Sequence, residues 1–141
     1  MGMWGSGNLE NDGAQNIIGD SSAKLFDEVI ELLKNPSAAE YDEYEYDLLF
    51  VKIEMITALA EYGLINSSPE PSEIQPFFDP YLKKWEKYFQ GASTDEFAQE
   101  RKAVIESSFE NLLKVAEASQ TGSLFYRIGL ISEKFNKKDK N

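Results

Sequence analysis

Residues 44–62 read YEYDLLFVKIEMITALAEY, and Gly63 follows them. Within residues 48–60, ten of thirteen side chains are apolar, and they leave almost no side of a helix free of apolar groups. A helix of this kind is buried by neighbours on several sides, and a glycine just beyond it favours the left-handed turn that ends many helices. The stretch therefore predicts a central buried helix. Charged residues interrupt it too often for a membrane span.

The composition limits the classes of function. The chain has 141 residues, 42% of them hydrophobic, which fits one folded domain with a core. Its formal net charge of -11 argues against nucleic acid as a ligand, because phosphate binding needs a cationic surface. Cysteine and histidine are both absent, so the sequence lacks thiol nucleophiles, ordinary zinc ligands and the commonest general base. We therefore predict no catalytic residue, no metal, no cofactor and no membrane contact. The sequence shows no secretory signal, so we predict a cytoplasmic location.

An acidic and tyrosine-rich run, EYDEYEYD at residues 40–47, leads into the central helix. A helical wheel places four acids on one face: Glu43, Asp47, Glu54 and Glu61. The one lysine in this stretch projects from another side, so it does not neutralise the face, and like charges at such spacing repel. We predict that a partner with a basic surface binds through Glu40, Tyr41, Glu43, Tyr44, Asp47, Glu54 and Glu61. The alternatives are a solvated surface, a metal site, or a carboxylate pair for hydrolysis.

The N-terminal residues predict an anchored arm, with a flexible arm as the alternative, followed by a short helix. Residues 1–11 read MGMWGSGNLEN, in which glycines surround Trp4, and we expect its indole ring to pack on the core. Asp12 and Gln15 have the spacing of a capping box, with Asp12 as the N-cap. The helix is expected to run through Ile17 and Ile18 and to break or bend at residues 19–22, which read GDSS.

The same N-terminal residues resemble a known family. The pattern M-G-x-W-G-x-G followed by N-D-x-A is similar to the opening of the bacterial domain-of-unknown-function family numbered 4259, and it is carried by Trp4, Gly5, Gly7, Asn11, Asp12 and Ala14. The match is sharp over residues 1–15 and only thematic afterwards. The resemblance implies a small, acidic, mostly helical bacterial protein, and it supplies no catalytic residue. Gly2 and Ser6 also fit a myristoylation pattern, and a glycine-rich loop can cradle phosphate, but a structural arm is the simpler interpretation.

Apolar residues at three-and-four spacing predict further helices over residues 22–34, 80–90, 94–119 and 124–135, the last of which also has features of a strand. Phe97 and Val104 are among the residues expected to face inward. A proline-rich connection over residues 64–78 separates two helical halves.

These segments together predict an all-α fold. It is a single domain over residues 1–136, with five to six helices around the central helix and the glycine-tryptophan arm packed on the core. Residues 137–141 are expected to form a disordered charged tail.

Three functional hypotheses fit these observations. The first is a small acidic, non-enzymatic protein-binding module, for example an immunity-type inhibitor that covers the basic surface of a toxin such as a nuclease. The second is a structural, self-associating protein, in which exposed tyrosines and the lysines of residues 83–87 build a homo-oligomer. The third is an enzyme that uses Asp or Glu together with Tyr.

Overall fold

The computed structural model describes residues 3, 5–35, 43–89 and 95–120. The helices are α1 (Asp12–Lys34), α2 (Glu43–Glu61), the one-turn α3 (Pro71–Ile74), α4 (Phe78–Phe89) and α5 (Asp95–Gln120), with a 3-10 turn at Gln75–Phe77. Within these residues no strand forms, and the only β-type pairing is an isolated bridge between Met3 and Asn11. The all-α class is confirmed, with four longer helices where five to six were predicted. The predicted helix over 124–135 and the predicted tail lie outside the described residues.

Helix α2 packs against α1 and α5 and forms the middle of the core. Its bounds agree with the predicted central helix to within one residue at each end. The fully buried side chains that join the three helices include Phe26 and Val29 from α1, Ile53 and Ile56 from α2, and Ile105 and Leu112 from α5. Helix α2 is therefore the element against which both α1 and α5 pack.

An aromatic cluster ties α4 to this core, and Phe109 of α5 is its hub. The Phe109 ring stacks on Phe78, with centroids 4.3 Å apart and planes 1° from parallel. It also lies 5.8 Å from the Phe50 ring and meets Tyr81 edge-on at 5.8 Å. Offset and edge-to-face pairs of this kind add stabilisation beyond the buried area. One ring of α5 therefore holds α2 and α4 together.

Helix α1 is continuous through residues 19–22, so the predicted break there is wrong. Ser22 is fully buried, and its hydroxyl donates to the Ile18 carbonyl at 2.6 Å and accepts from the Asn66 backbone N–H at 3.3 Å. Gly19 lies under the Asn66 side chain, where an added Cβ would stand 3.1 Å from Oδ1. A long-range contact with the segment after α2 thus replaces the turn that the local sequence favours.

The N-cap of α1 is Asn11, one residue before the predicted Asp12. The Asn11 side chain accepts from the Ala14 N–H at 2.7 Å, which satisfies one of the free donors of the first turn. Gln15 does not close a capping box, since its Nε2 donates instead to the Leu9 carbonyl at 2.8 Å. Asp12 is instead the first helical residue, where its negative charge interacts favourably with the positive end of the helix dipole.

The glycines of the N-terminal motif lie against the carboxylate of Glu10. A Cβ on Gly5 or Gly7 would meet this carboxylate, which is the far end of an exposed, flexible side chain and can move aside. Trp4 lies outside the described residues, so the anchored arm stays a prediction.

The end of α2 and the connection after it agree with the sequence in outline. Gly63 has a φ of 73°, the left-handed value that ends the helix, and its N–H donates to the Ala60 carbonyl at 3.1 Å. The connection packs on the body, because Ile74 is fully buried. It is more helical than predicted, with α3 and the 3-10 turn inside it, and α4 begins at Phe78 rather than at Pro80.

We predict that Ser22→Ala lowers the free energy of unfolding by about 1–2 kcal/mol, because the part-buried Asn66 N–H loses its acceptor. Urea denaturation followed by circular dichroism measures the change. The matched control is Ser21→Ala, at an exposed position of the same helix turn, which should change stability by less than about 0.5 kcal/mol. Equal effects of the two substitutions would show that the Ser22 contact with Asn66 does not stabilise the fold.

Candidate protein-binding surface

The acidic face predicted from the sequence lies on α2. Glu43, Asp47, Glu54 and Glu61 fall within an arc of about 40° at 100° per residue. Glu54 is exposed and Glu61 is partly buried, and they lie two turns apart on the same side of the helix. The described part of the structure does not include Glu40, Tyr41 or the side chains of Glu43, Tyr44 and Asp47. The role of these residues in binding stays a prediction.

The single lysine of α2 is engaged on another side. Lys52 Nζ donates a hydrogen bond to Glu28 Oε2 of α1, and the two side chains form an ion pair. The hydrogen bond from Lys52 holds the pKa of Glu28 below its ordinary value, with help from the charges of Lys52 and Lys24 and against partial desolvation. Lys52 therefore fastens α1 to α2 and leaves Glu54 without a cation nearby on its own helix.

Next to the acidic face, α2 carries an apolar stripe that α1 and α5 do not cover. Val51 is 52% exposed and Met55 is 47% exposed, and Ala58 is exposed one turn further on. Among the described residues, α2 is therefore covered on fewer sides than its apolar content predicts. Its packing neighbours bury the half that carries Ile53 and Ile56, and the stripe lies on the opposite half.

Helix α5 supplies the second wall of a groove along this stripe. Val104 is 49% exposed and Phe97 is 51% exposed, so the prediction that they face inward is also wrong. The α2/α5 groove has a volume of about 570 Å³ and is lined by Phe50, Val51, Glu54, Met55, Ala58, Arg101, Val104 and Ser108. The sequence does hold a signal for it: α2 has more apolar residues than one buried face requires.

The charges at the groove have opposite signs on its two walls. The Arg101 guanidinium of α5 lies 4.9 Å from the centre of the Phe50 ring, within the range of a cation–π contact. Glu54 lines the α2 wall, and it forms no ion pair within residues 43–89 or the other described ranges. The groove therefore combines apolar side chains with an exposed carboxylate on α2 and a guanidinium on α5.

A second cavity, of about 390 Å³, lies between α1 and the segment that contains residues 67–73. Asp27, Lys34 and Glu73 contribute charges of both signs to its lining, and Lys34 Nζ lies 5.6 Å from the centre of the Phe77 ring. The mixed charges favour no ligand of one sign.

The basic patch predicted on α4 is exposed. Lys83, Lys84 and Lys87 all face outward, and none of them forms an ion pair with any residue that the structure describes. Their neighbour Glu86 is paired instead with Lys102 of α5, at 2.6 Å between Nζ and Oε1. The hydrogen bond to Glu86 raises the pKa of Lys102. Pairing of the α4 lysines with the acidic face of α2 is thus not seen within the described molecule.

Metal binding and membrane insertion are two other classes of function that the described residues bear on. Among the described residues, no group of three or more acidic side chains is arranged to hold a metal ion. None of the described helices combines the length and the apolar character that a bilayer crossing requires.

No protein-family model, curated protein or solved structure matches this chain. The resemblance of the N-terminal motif to the domain-of-unknown-function family stays a prediction.

We predict that Glu28→Gln lowers the free energy of unfolding near pH 7, because Lys52 loses its charged acceptor. The folded-state pKa of Glu28 lies below its ordinary 4.5, so the contribution is present above that value and disappears as the pH falls through the folded-state pKa. The difference between wild type and variant should therefore be constant from pH 7 to pH 5 and shrink below pH 4.5.

Denaturant titrations across this pH range measure the difference. The matched control is Asp27→Asn, which removes an exposed carboxylate of the same helix that makes no ion pair with the described residues. A difference for Glu28→Gln that persists unchanged in acid would contradict the assignment of the pair.

Proposed function

We propose that the protein is an acidic, non-enzymatic binding module, and that the outer face of α2 binds a protein partner with a basic surface. The observation that carries the proposal is the position of exposed Glu54 beside the half-exposed Val51 and Met55. Interfaces combine an apolar centre with a charged rim in this way, whereas a face that only aids solubility needs no apolar stripe.

The charge of the whole chain supports the same partner. A net charge of -11 attracts a cationic protein over long distances and speeds its encounter, and a local acidic face then fixes the orientation. An immunity-type inhibitor of a basic toxin, such as a nuclease, is the form of this function that we favour. It would place carboxylates where the nucleic-acid backbone binds, and the bacterial cytoplasm is where it would act.

The test is the triple charge reversal Glu43→Lys, Asp47→Lys and Glu54→Lys. We expect the variant to remain folded and to lose the basic partner that the wild type captures from the source cell. Calorimetry with that purified partner should show an affinity weaker by at least about tenfold, with most of the salt dependence removed.

A matched control separates the face from the net charge. Asp20, Asp27 and Glu31 are exposed on one face of α1, and reversing them to lysine changes the net charge by the same amount. The affinity of this control for the partner should stay within about threefold of the wild-type affinity. The change in net charge weakens only the long-range attraction, and the α2 face is intact. Binding that survives the α2 reversal, or falls equally in both triple variants, would show that the α2 face is ordinary surface.

Self-association is the second candidate function. It is favoured by the exposed Lys83, Lys84 and Lys87, which have no described acidic partner, and by the half-exposed Tyr62 and Tyr88. Contact between the lysines of one copy and the acidic face of another would give a salt-sensitive oligomer. Sedimentation of the full chain at low and high salt distinguishes the two functions, because a monomer at every salt concentration excludes this one.

A further inference from the structure

The α2/α5 groove is formed by the sides of two helices. Three lining residues on each wall lie within two helical turns: Val51, Met55 and Ala58 on α2, and Arg101, Val104 and Ser108 on α5. Each wall is therefore about 10 Å long. Val51, Met55 and Val104 are each about half exposed among the described residues. A segment that fits the groove would thus bury apolar surface along both walls.

The walls offer little to the backbone of a bound segment. Both walls are helices, whose backbone N–H and C=O groups bond within the helix itself. The hydroxyl of Ser108 is also turned to its own helix, since it donates to the Val104 carbonyl at 2.9 Å. An extended peptide in the groove would leave buried backbone groups without partners, whereas a helix arrives with its backbone groups already paired.

The charges of the two walls give a bound helix a preferred orientation. Glu54 is exposed on the α2 wall, and the Arg101 guanidinium lies over the Phe50 ring on the α5 wall. A helix between the walls turns one flank toward each of them. Basic side chains are attracted on the flank that faces Glu54 and repelled on the flank that faces Arg101.

We infer that the basic partner presents an amphipathic helix to this groove, with its apolar stripe against Val51, Met55 and Val104 and its basic residues on the flank that faces α2. The inference rests on the proposed function, because it gives the form of the segment by which that partner binds. It also assigns a contact to α5, which an acidic face on α2 alone does not require. Helices that lie in apolar grooves are a common mode of peptide recognition.

Calorimetry of the full chain with synthetic peptides tests the inference. The probe is a capped peptide of about 14 residues, because shorter helices are marginal in water. It carries leucine at three-and-four spacing, lysine along one flank of that stripe, and glutamine elsewhere. The reference peptide has the same composition with D-residues at alternate positions, so it has the same charge and cannot form the helix. We expect the probe to bind at least about tenfold more tightly, because only the probe places its leucines on one face.

Val104→Ser tests the α5 wall, and Ile17→Ser is the matched control. Both residues are exposed apolar side chains on helices, but Ile17 lies on α1 and does not line the groove. Val104→Ser should weaken binding of the probe at least about fivefold, because the docked leucines lose apolar contact. Ile17→Ser should leave the affinity within about twofold. Circular dichroism verifies that both variants are folded.

A third peptide tests the preferred flank. It has the composition of the probe, with the lysines divided between the two flanks of the leucine stripe. We expect it to bind at least about threefold more weakly than the probe, because part of its charge then faces Arg101. Equal affinities of these two peptides would overturn the assigned orientation.

The results separate this inference from the proposed function. No binding of the probe, equal affinities of probe and reference, or full affinity in Val104→Ser would each overturn the inference. The proposed function stands in any of these cases if the triple charge reversal on α2 still removes binding of the basic partner. It fails if that reversal has no effect on the partner.

Other occupants of the groove would also overturn the inference. A dimer of the free full chain that Val104→Ser dissociates, seen by sedimentation, would identify a second copy in the groove. Backbone amide signals of residues 121–141 that shift in Val104→Ser without any peptide would identify the chain's own C-terminal residues there.

Discussion

The packing of α2 between α1 and α5 is the constraint on which the rest of the structure depends. Ile53 and Ile56 are buried in the core, and Phe50 reaches the Phe109 ring of α5. Helices α1 and α5 pack on the half of α2 that carries Ile53 and Ile56, and the opposite half, with Val51 and Met55, is half exposed. That half carries both the acids and the apolar stripe, and each functional inference about this protein begins from it.

The sequence predicted those elements whose signals are local. The strong apolar content of residues 48–60 located α2, and Gly63 located its end, because a left-handed residue is a requirement of the backbone itself. The break predicted at residues 19–22 failed because Ser22 and Gly19 are matched to Asn66, more than forty residues away. Contacts over such distances leave no trace in helical periodicity.

The sequence also predicted only part of the candidate site, namely the part that follows from local helical geometry. The alignment of Glu54 with Glu61 follows from helical geometry alone, and the structure places both on one side of α2. The half-exposed Val51, Met55 and Val104 were expected to be buried, because their apolar character alone does not say how many neighbours a helix has. The groove depends on how α1 and α5 pack against α2, which the sequence pattern does not give.

We propose that the outer half of α2, and not the negative charge of the chain as a whole, attracts cationic chains. The most direct measurement of this attraction is a titration of the isotope-labelled full chain with a short oligolysine peptide, followed through backbone amide chemical shifts. We expect the largest shifts around Glu54 and Glu61 on α2, and only small shifts around Asp20 and Asp27 on α1. Shifts of equal size on the two helices would contradict it.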